Sequence, residues 1–187
     1  MIIILCAPSG SGKSTMVRHL LDTYPGCYEL SISATTRLPR GQEQHGKEYY
    51  FITKEEFEQH IVNNDFIEYE QVYDGLYYGT LKSEIDRIQS LGRTILFDID
   101  VKGGINLKNI FGDNALSIFI APPSIDALSA RLHARGDTSE EMIQKRLAKA
   151  EIEMADAPHF DHIVVNDDLS VAKQSLEDII NSWKRNS

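Results

Sequence analysis

The chain is short of basic charge, cysteine and long apolar runs. Its 187 residues carry 19 Lys and Arg against 28 Asp and Glu, a net charge of −9. That balance argues against a nucleic-acid partner, because no spare basic face exists to displace counterions from a phosphate backbone. It also makes the few arginines informative, since an acidic protein that handles polyanions must gather its cations locally. The two cysteines, Cys6 in the first apolar run and Cys27 in a polar turn, lack metal-ligand spacing. Free thiols in a reducing compartment are expected. No segment reaches membrane-spanning length, and the apolar N-terminus is too short for a leader and has no basic residues before it. The expectation is a soluble cytoplasmic protein with no membrane partner. Repeats and low-complexity tracts are absent. With 42% hydrophobic and 25% charged residues, the composition is that of an ordinary globular domain, and the length suits one domain with small inserts.

Near the start, Ile2-Ile3-Ile4-Leu5 runs into Ala7-Pro8-Ser9-Gly10-Ser11-Gly12-Lys13-Ser14-Thr15. The glycines allow a tight turn in which several N–H groups converge on one anion, and the following helix adds its positive end. The Gly-Lys-Ser tail is that of a P-loop: Lys13 reaches the β and γ phosphates, and the Ser14 hydroxyl ligates Mg²⁺. A buried-type strand precedes the loop. An amphipathic helix follows, with Met16, Val17, Leu20 and Leu21 at helical spacing. A nucleoside triphosphate is the expected ligand. Where the motif usually opens with Gly, Ala7 stands. Alanine holds a positive φ only at a cost, so the loop must enter through an ordinary backbone region.

Further on, short β-type runs alternate with helical patterns, the signature of a parallel sheet with covering helices. Tyr24-Pro25-Gly26 reads as a turn and 31–48 as a polar functional loop. Thr53 to Glu56 forms a capping box ahead of Phe57 and Ile61. Phe66 to Tyr73 reads as a strand, Asp74-Gly75 as a hairpin turn and Leu76-Tyr77-Tyr78 as the return. Thr80 is expected to cap a helix that ends at Gly92. Thr94 to Asp100 and Leu116 to Ile120 read as buried strands, the first with carboxylates at its C-terminal end. Ser124 caps a helix, a long helix covers 139–155, Ile163 to Val165 is a last strand, and Leu169 to Trp183 a closing helix. Residues 33 to 80 interrupt the parallel pattern with hairpin-like strands and read as an inserted lobe.

Four groups of residues stand out as carriers of chemistry. Asp98 and Asp100 end a hydrophobic strand, where open α/β sheets bind ligands and a Walker-B-like carboxylate belongs; alone they also read as strand-end turn carboxylates. Arg37 and Arg40, three residues apart around Pro39, suit phosphate oxygens, and Tyr49 and Tyr78 offer phenolic donors to the same phosphate. By spacing alone, these residues read equally as a solvated loop and packed aromatics. Glu68, within Phe66-Ile67-Glu68-Tyr69-Glu70, reads either as the solvent face of an antiparallel strand or as a pocket carboxylate. In a pocket its natural partner is guanine, whose N1–H and N2–H₂ are adjacent donors. Arg131, Arg135 and Arg146 suit closure over a transferring phosphoryl group. They equally suit a solvated helical face paired with Glu140 and Glu141. Gly136-Asp137-Thr138 breaks the helix between them.

In this order the pieces resemble the guanylate kinase family, P-loop kinases that phosphorylate GMP, almost from end to end. The resemblance is carried by Ser33-Ala34-Thr35-Thr36-Arg37-Leu38-Pro39-Arg40, Gly46-Lys47-x-Tyr49-x-Phe51, Phe66-Ile67-Glu68 and Tyr77-Tyr78-Gly79-Thr80. It continues through Asp98-Ile99-Asp100, Ile120-Ala121-Pro122-Pro123-Ser124 and Val165-Asn166-Asp167-Asp168. It implies a P-loop NTPase-type three-layer α/β fold with a central parallel sheet. The core would be 1–32, 81–123 and 156–187, with a mixed α+β nucleotide-monophosphate-binding lobe at 33–80 and a helical lid at 124–155.

The same resemblance implies an enzyme that uses Mg²⁺ to transfer the γ-phosphoryl group of ATP to GMP or dGMP, as a monomer or weak homo-oligomer. Pro8, Ser9, Gly10, Ser11, Gly12, Lys13, Ser14 and Thr15 would cradle ATP, with Asn166 near adenine and Ser14 on the metal. Ser33, Glu68 and Thr80 would contact guanine, while Arg37, Arg40, Tyr49 and Tyr78 would hold the GMP phosphate. Asp98 and Asp100 would lie near the GMP ribose, the phosphate-binding arginines and the metal's water shell. Lys13, Arg37, Arg131, Arg135 and Arg146 form the implied catalytic set.

Several positions depart from the family pattern: Ala7, Gly41-Gln42, an additional residue around Asp74-Gly75-Leu76, Lys102 where Gln is common, and Thr80 for Ser. None removes a charge or donor that the transfer requires, although Lys102 is a cation and cannot replace an amide's acceptor. Silent scaffold modules of the same fold lack a working P-loop, whereas Lys13 and Ser14 are intact here. A kinase of sugar phosphates would need no guanine-reading set.

Overall fold

The computed structural model describes residues 1–136 and 139–186. Asp137 and Thr138, part of the expected helix break, lie outside the described residues. By packing, the chain divides into two units, Met1–Pro25 with Leu96–Ser187, and Gly26–Ile95.

The first unit opens with β1 (Ile2–Cys6), buried at all five positions. A strand covered on both faces has no solvent side, which accounts for its unbroken apolar run. The helix α1 (Lys13–Thr23) buries Met16, Val17 and Leu20. The chain returns at β7 (Thr94–Asp98) and continues through α4 (Val101–Phe111), β8 (Ala115–Ala121), α5 (Ile125–Arg135), α6 (Glu140–Ala155), β9 (His162–Val165) and α7 (Leu169–Asn186). Parallel pairing sets Ile2 opposite Ala115 and Ile118 opposite His162. With β2 (Tyr28–Leu30), these strands form a five-stranded parallel sheet in the order β2-β7-β1-β8-β9. The boundary between the units falls within β7. The chain leaves β1 for one side of the sheet, to the edge strand β2 and back to β7, and then crosses to β8 and β9 on the other. The reversal therefore falls at β1, whose carboxyl end is the usual ligand position in such sheets.

The second unit contains β3 (Ala34–Thr35), β4 (Tyr50–Phe51), α2 (Lys54–Val62), β5 (Phe66–Tyr73), β6 (Leu76–Leu81) and α3 (Lys82–Ser90). Its four-stranded sheet has the order β4-β3-β6-β5. Phe57 of α2 stacks on Phe66 at 4.3 Å and on Tyr77 at 5.0 Å, which makes a small core with Ala34. The expected capping box of α2 forms in both directions between Thr53 and Glu56.

Three expectations need correction. Thr80 does not cap a helix: it lies in β6, and Leu81 precedes α3 without a side-chain cap. The strand expected over 94–100 ends at Asp98, and Asp100 instead caps α4 by accepting the Gly103 N–H at 2.8 Å. In the sequence α4 is masked by Gly103-Gly104, each of which lowers helix propensity by about 1 kcal/mol. Those glycines are required for packing, because a Cβ on Gly103 would lie 2.6 Å from Ile99 Cδ1 and one on Gly104 2.1 Å from Cys6 Sγ. Finally, the stretch read as a loop contains β3, which at two residues is too short to show a period.

Candidate active site

The loop after β1 turns through Gly10 and Gly12, with φ of 96° and 98°. Both lie in the left-handed region that favours glycine. Among the described residues Asn64 is the sole non-glycine with positive φ, so Ala7 enters through ordinary backbone, as its side chain requires. The Ser11 N–H donates to the Pro8 carbonyl at 3.1 Å, and α1 then starts on the Gly12 carbonyl, which accepts from Thr15 and Met16. Ser14 and Thr15 are exposed in the first turn of α1. Leu128 and Leu132 of α5 pack on the loop, each 3.0 Å from where a Gly10 Cβ would stand.

Asn166 is buried at the end of β9 and donates from Nδ2 to the Ser11 carbonyl at 2.8 Å. Its own N–H is held by the Ala121 carbonyl at 2.8 Å. The amide expected beside adenine therefore braces the phosphate loop in this structure. Gly12 makes room for it, since a Cβ there would lie 2.3 Å from Nδ2. Arg131 donates from Nη2 to the Asn166 carbonyl at 2.8 Å, and Arg146 is half-buried on α6. Arg135 ends α5, and its side chain lies outside the described structure. Glu140 and Glu141, which the helical-face reading pairs with these arginines, instead bond His133 and Lys145.

The Lys13 ammonium lies 2.7 Å from Asp98 Oδ1 and also donates to the Ile99 carbonyl. Loop cation and strand-end carboxylate are thus joined in advance. The Cys6 thiol donates to the Asp100 carbonyl at 3.3 Å. Burial pushes the thiol far above its usual range, which makes it a packing group rather than a nucleophile. Among the described residues no three His, Cys, Asp or Glu are grouped to hold a metal ion. The available donors are hard oxygens, the Ser14 hydroxyl and the Asp98 and Asp100 carboxylates. They fit Mg²⁺ carried on nucleotide phosphates better than an all-protein cage.

In the second unit, pairing in the β5–β6 hairpin decides which way Glu68 faces. Phe66 pairs with Leu81 but Glu68 with Thr80, so β5 has one residue more than β6 between these pairs. Side chains alternate along a strand, and this bulge turns Glu68 to the face opposite Phe66. Phe66 and Leu81 belong to the core with Phe57, while Glu68, Thr80 and Tyr78 share the other face. Thr80 is fully buried, and its hydroxyl donates to Glu68 Oε1 at 2.9 Å. Across β3, Thr35 pairs with Tyr78 and Ala34 with Gly79, and one further step of that register sets Ser33 level with Thr80. Gly79 is needed at the crossing, where a Cβ would lie 2.9 Å from the Glu68 carbonyl. On the same sheet, the Arg37 guanidinium lies 5.1 Å over the Tyr49 ring, and Tyr49 meets Tyr78 edge-on at 5.8 Å. Burial raises the Tyr49 phenol pKa, so it stays protonated and able to donate.

A family model described as guanylate kinase matches residues 1–183. The chain belongs to the guanylate kinase family. A guanylate kinase of Bacteroides thetaiotaomicron is 51% identical over 182 residues, 97% of this chain and 89% of that protein. One of Porphyromonas gingivalis is 49% identical over 179 residues, 96% of this chain and 95% of that protein. The crystal structure of guanylate kinase from Anaplasma phagocytophilum matches with a TM-score of 0.71 at 27% identity, covering 97% of this chain and 85% of that one.

Two carboxylates that the sequence reading passed over are prominent in the structure. Glu84 is buried and accepts from the Ile32 N–H at 2.9 Å, the Tyr50 hydroxyl at 2.9 Å and Arg87 at 2.8 Å. It ties α3 to the segment that leads into Ser33, and its i,i+3 spacing to Arg87 was the available signal. Glu43 forms a two-pronged pair with Arg37. Nothing in its spacing marks it, because a loop has no period. A second register shift in the same hairpin lies between Gln71 and Tyr73.

Proposed function

We propose that this chain transfers the γ-phosphoryl group of ATP to GMP, and to dGMP, giving ADP and the nucleoside diphosphate. In this reading it works in the cytoplasm as a monomer or weak homo-oligomer and engages neither nucleic acid nor membrane. The observation that carries the reading is the Glu68–Thr80 pair, turned by a bulge onto the face that also holds Tyr78. Guanine offers two adjacent donors to a carboxylate, whereas adenine offers a lone pair at N1 and would leave the charge unpaired.

Pro8 to Thr15 wrap the ATP phosphates, Lys13 neutralises β and γ oxygens, and Asn166 holds the loop in shape. Ser14 is the residue that would hold Mg²⁺, which when bound offsets charge on the phosphate oxygens. Arg37, Arg40, Tyr49 and Tyr78 fix the GMP phosphate, with Ser33 beside the base. Asp98 and Asp100 serve the ribose and the water around the metal. Arg131, Arg135 and Arg146 stabilise the group in transfer. A phosphate oxygen is already nucleophilic, so alignment and charge neutralisation suffice and no general base is required.

The test is ADP release in a coupled assay with ATP and GMP, dGMP, AMP, CMP, UMP or a phosphorylated ribose as acceptor. Turnover with GMP and dGMP, and only traces with the others, is expected. Equal turnover with AMP, or none with GMP, rejects the proposal.

A further inference from the structure

Arg37 is restrained from several sides. Glu43 Oε2 accepts from Nη1 at 2.8 Å and Oε1 from Nη2 at 3.0 Å. The Leu38 carbonyl accepts from Nη1 at 2.9 Å, and the rings of Tyr49 and Phe51 lie 5.1 and 5.6 Å from Cζ. The side chain is only 10% exposed. Glu43 is anchored in turn, because Oε2 accepts the Arg40 N–H at 2.7 Å while the Glu43 N–H returns to the Arg40 carbonyl at 3.0 Å. A guanidinium carries five N–H groups in one plane. Glu43 and Leu38 take both on Nη1 and one on Nη2. The second fork, Nε–H with the outer Nη2–H, lies on the edge away from Glu43 and engages neither Glu43 nor Leu38. The Tyr78 side chain also hydrogen-bonds this guanidinium.

We propose that Glu43 is a positioning residue: by clamping one fork of Arg37, it aims the other at the phosphate of the acceptor nucleotide. The idea rests on the reading that this face takes GMP. An unclamped arginine would keep its rotamer freedom and lose it on binding. Glu43 is also an anion beside a phosphate site. If its charge alone mattered, removing it would tighten GMP binding. The clamp demands the opposite sign, and that difference makes the idea testable.

Glu43→Gln keeps the shape but removes one acceptor oxygen and the charge. Calorimetric titration of the full chain with GMP, without ATP, should show binding weakened by about tenfold or more, the loss of one charged hydrogen bond. ATP affinity should stay unchanged. In an Arg37→Lys background, adding Glu43→Gln should change GMP affinity by less than about twofold, because the partner it acts through is gone. Equal or tighter GMP binding by Glu43→Gln overturns the clamp. A further tenfold loss on top of Arg37→Lys also overturns it, since Glu43 would then shape the loop itself. If Glu43→Gln does not fold, Glu43→Asp, one methylene shorter with its charge kept, takes its place: weaker GMP binding supports the clamp and unchanged binding overturns it. A second readout needs no substrate: the guanidinium ¹⁵N–H resonances of Arg37, assigned by their loss in Arg37→Lys. Distinct, slowly exchanging signals in the wild type that average in Glu43→Gln support the clamp, and averaged signals in the wild type overturn it. A wild-type chain that binds no GMP refutes the functional reading, and these resonances then decide the clamp alone.

Discussion

The Thr80 hydroxyl donates to the Glu68 carboxylate at 2.9 Å across a hairpin whose bulge turns Glu68 away from Phe66. Thr80 is thereby committed to its neighbour, and Glu68 is held on the face that also carries Tyr78. Replacing Glu68 with Gln sets an amide N–H₂ against donors. The expected loss is about 1.5–3 kcal/mol of transition-state binding, roughly 10- to 100-fold in kcat/KM for GMP. KM for ATP should hold. Steady-state kinetics with both nucleotides varied checks this, and unchanged GMP efficiency would return Glu68 to a solvent-face role.

Lys13 bridges Asp98 and the Ile99 carbonyl, and neither contact lies deep in the core. Lys13→Ala should therefore lower kcat by at least about 100-fold, through loss of phosphate neutralisation. Stability should fall by no more than about 1 kcal/mol. Turnover and urea denaturation on the same preparation separate the two effects. Near-normal turnover would exclude the assigned role of Lys13.

Gly12 and Gly92 both have positive φ, 98° and 67°, but only Gly12 is crowded. Gly92→Ala meets open space and should cost about 1–2 kcal/mol for backbone strain alone. Gly12→Ala must also displace the Asn166 amide from its bond to Ser11, so it should cost more and weaken ATP binding. Equal destabilisation of the two variants in chemical denaturation would show that the Asn166 brace has no energetic weight.

Glu177 accepts from the Tyr24 hydroxyl at 2.6 Å and pairs with His19 at 2.6 Å, which joins α1 to α7. These hydrogen bonds, Tyr24 first, hold its pKa below the usual glutamate value. The unfolded chain then binds the proton more readily, so stability rises with pH through this range. The contribution is complete above the ordinary glutamate pKa and disappears as the pH falls through the lower folded value. Glu177→Gln should be less stable than the wild type near neutral pH, and the gap should close as the pH falls below the ordinary glutamate range. A gap that does not change with pH would assign the effect to packing.

The phosphate loop was legible because its chemistry is contiguous. The strand Ile2–Cys6, the glycines and Lys13 lie within a dozen residues, and local backbone preference sets the turn. The capping box at Thr53 and the hairpin at Asp74-Gly75 were readable for the same reason. Elsewhere local signals misled. Thr80 has the chemistry of a helix cap, but the strand pairing that gives it Glu68 also keeps it in β6. The glycines that make α4 a poor helix on propensity are those that let it lie against Ile99 and Cys6.

By itself the sequence determined which chemistry is present: a phosphate cradle, a tyrosine- and arginine-rich segment, and carboxylates at the end of a buried strand. Tertiary structure alone decided how that chemistry is aimed. It turned Glu68 to the face of Tyr78 through one extra residue, set Asn166 on a carbonyl 155 positions away, and gave the fork of Arg37 to Glu43. Periodicity and propensity are properties of neighbours along the chain. The direction of a side chain depends on strand register and on partners that only folding brings within hydrogen-bond reach.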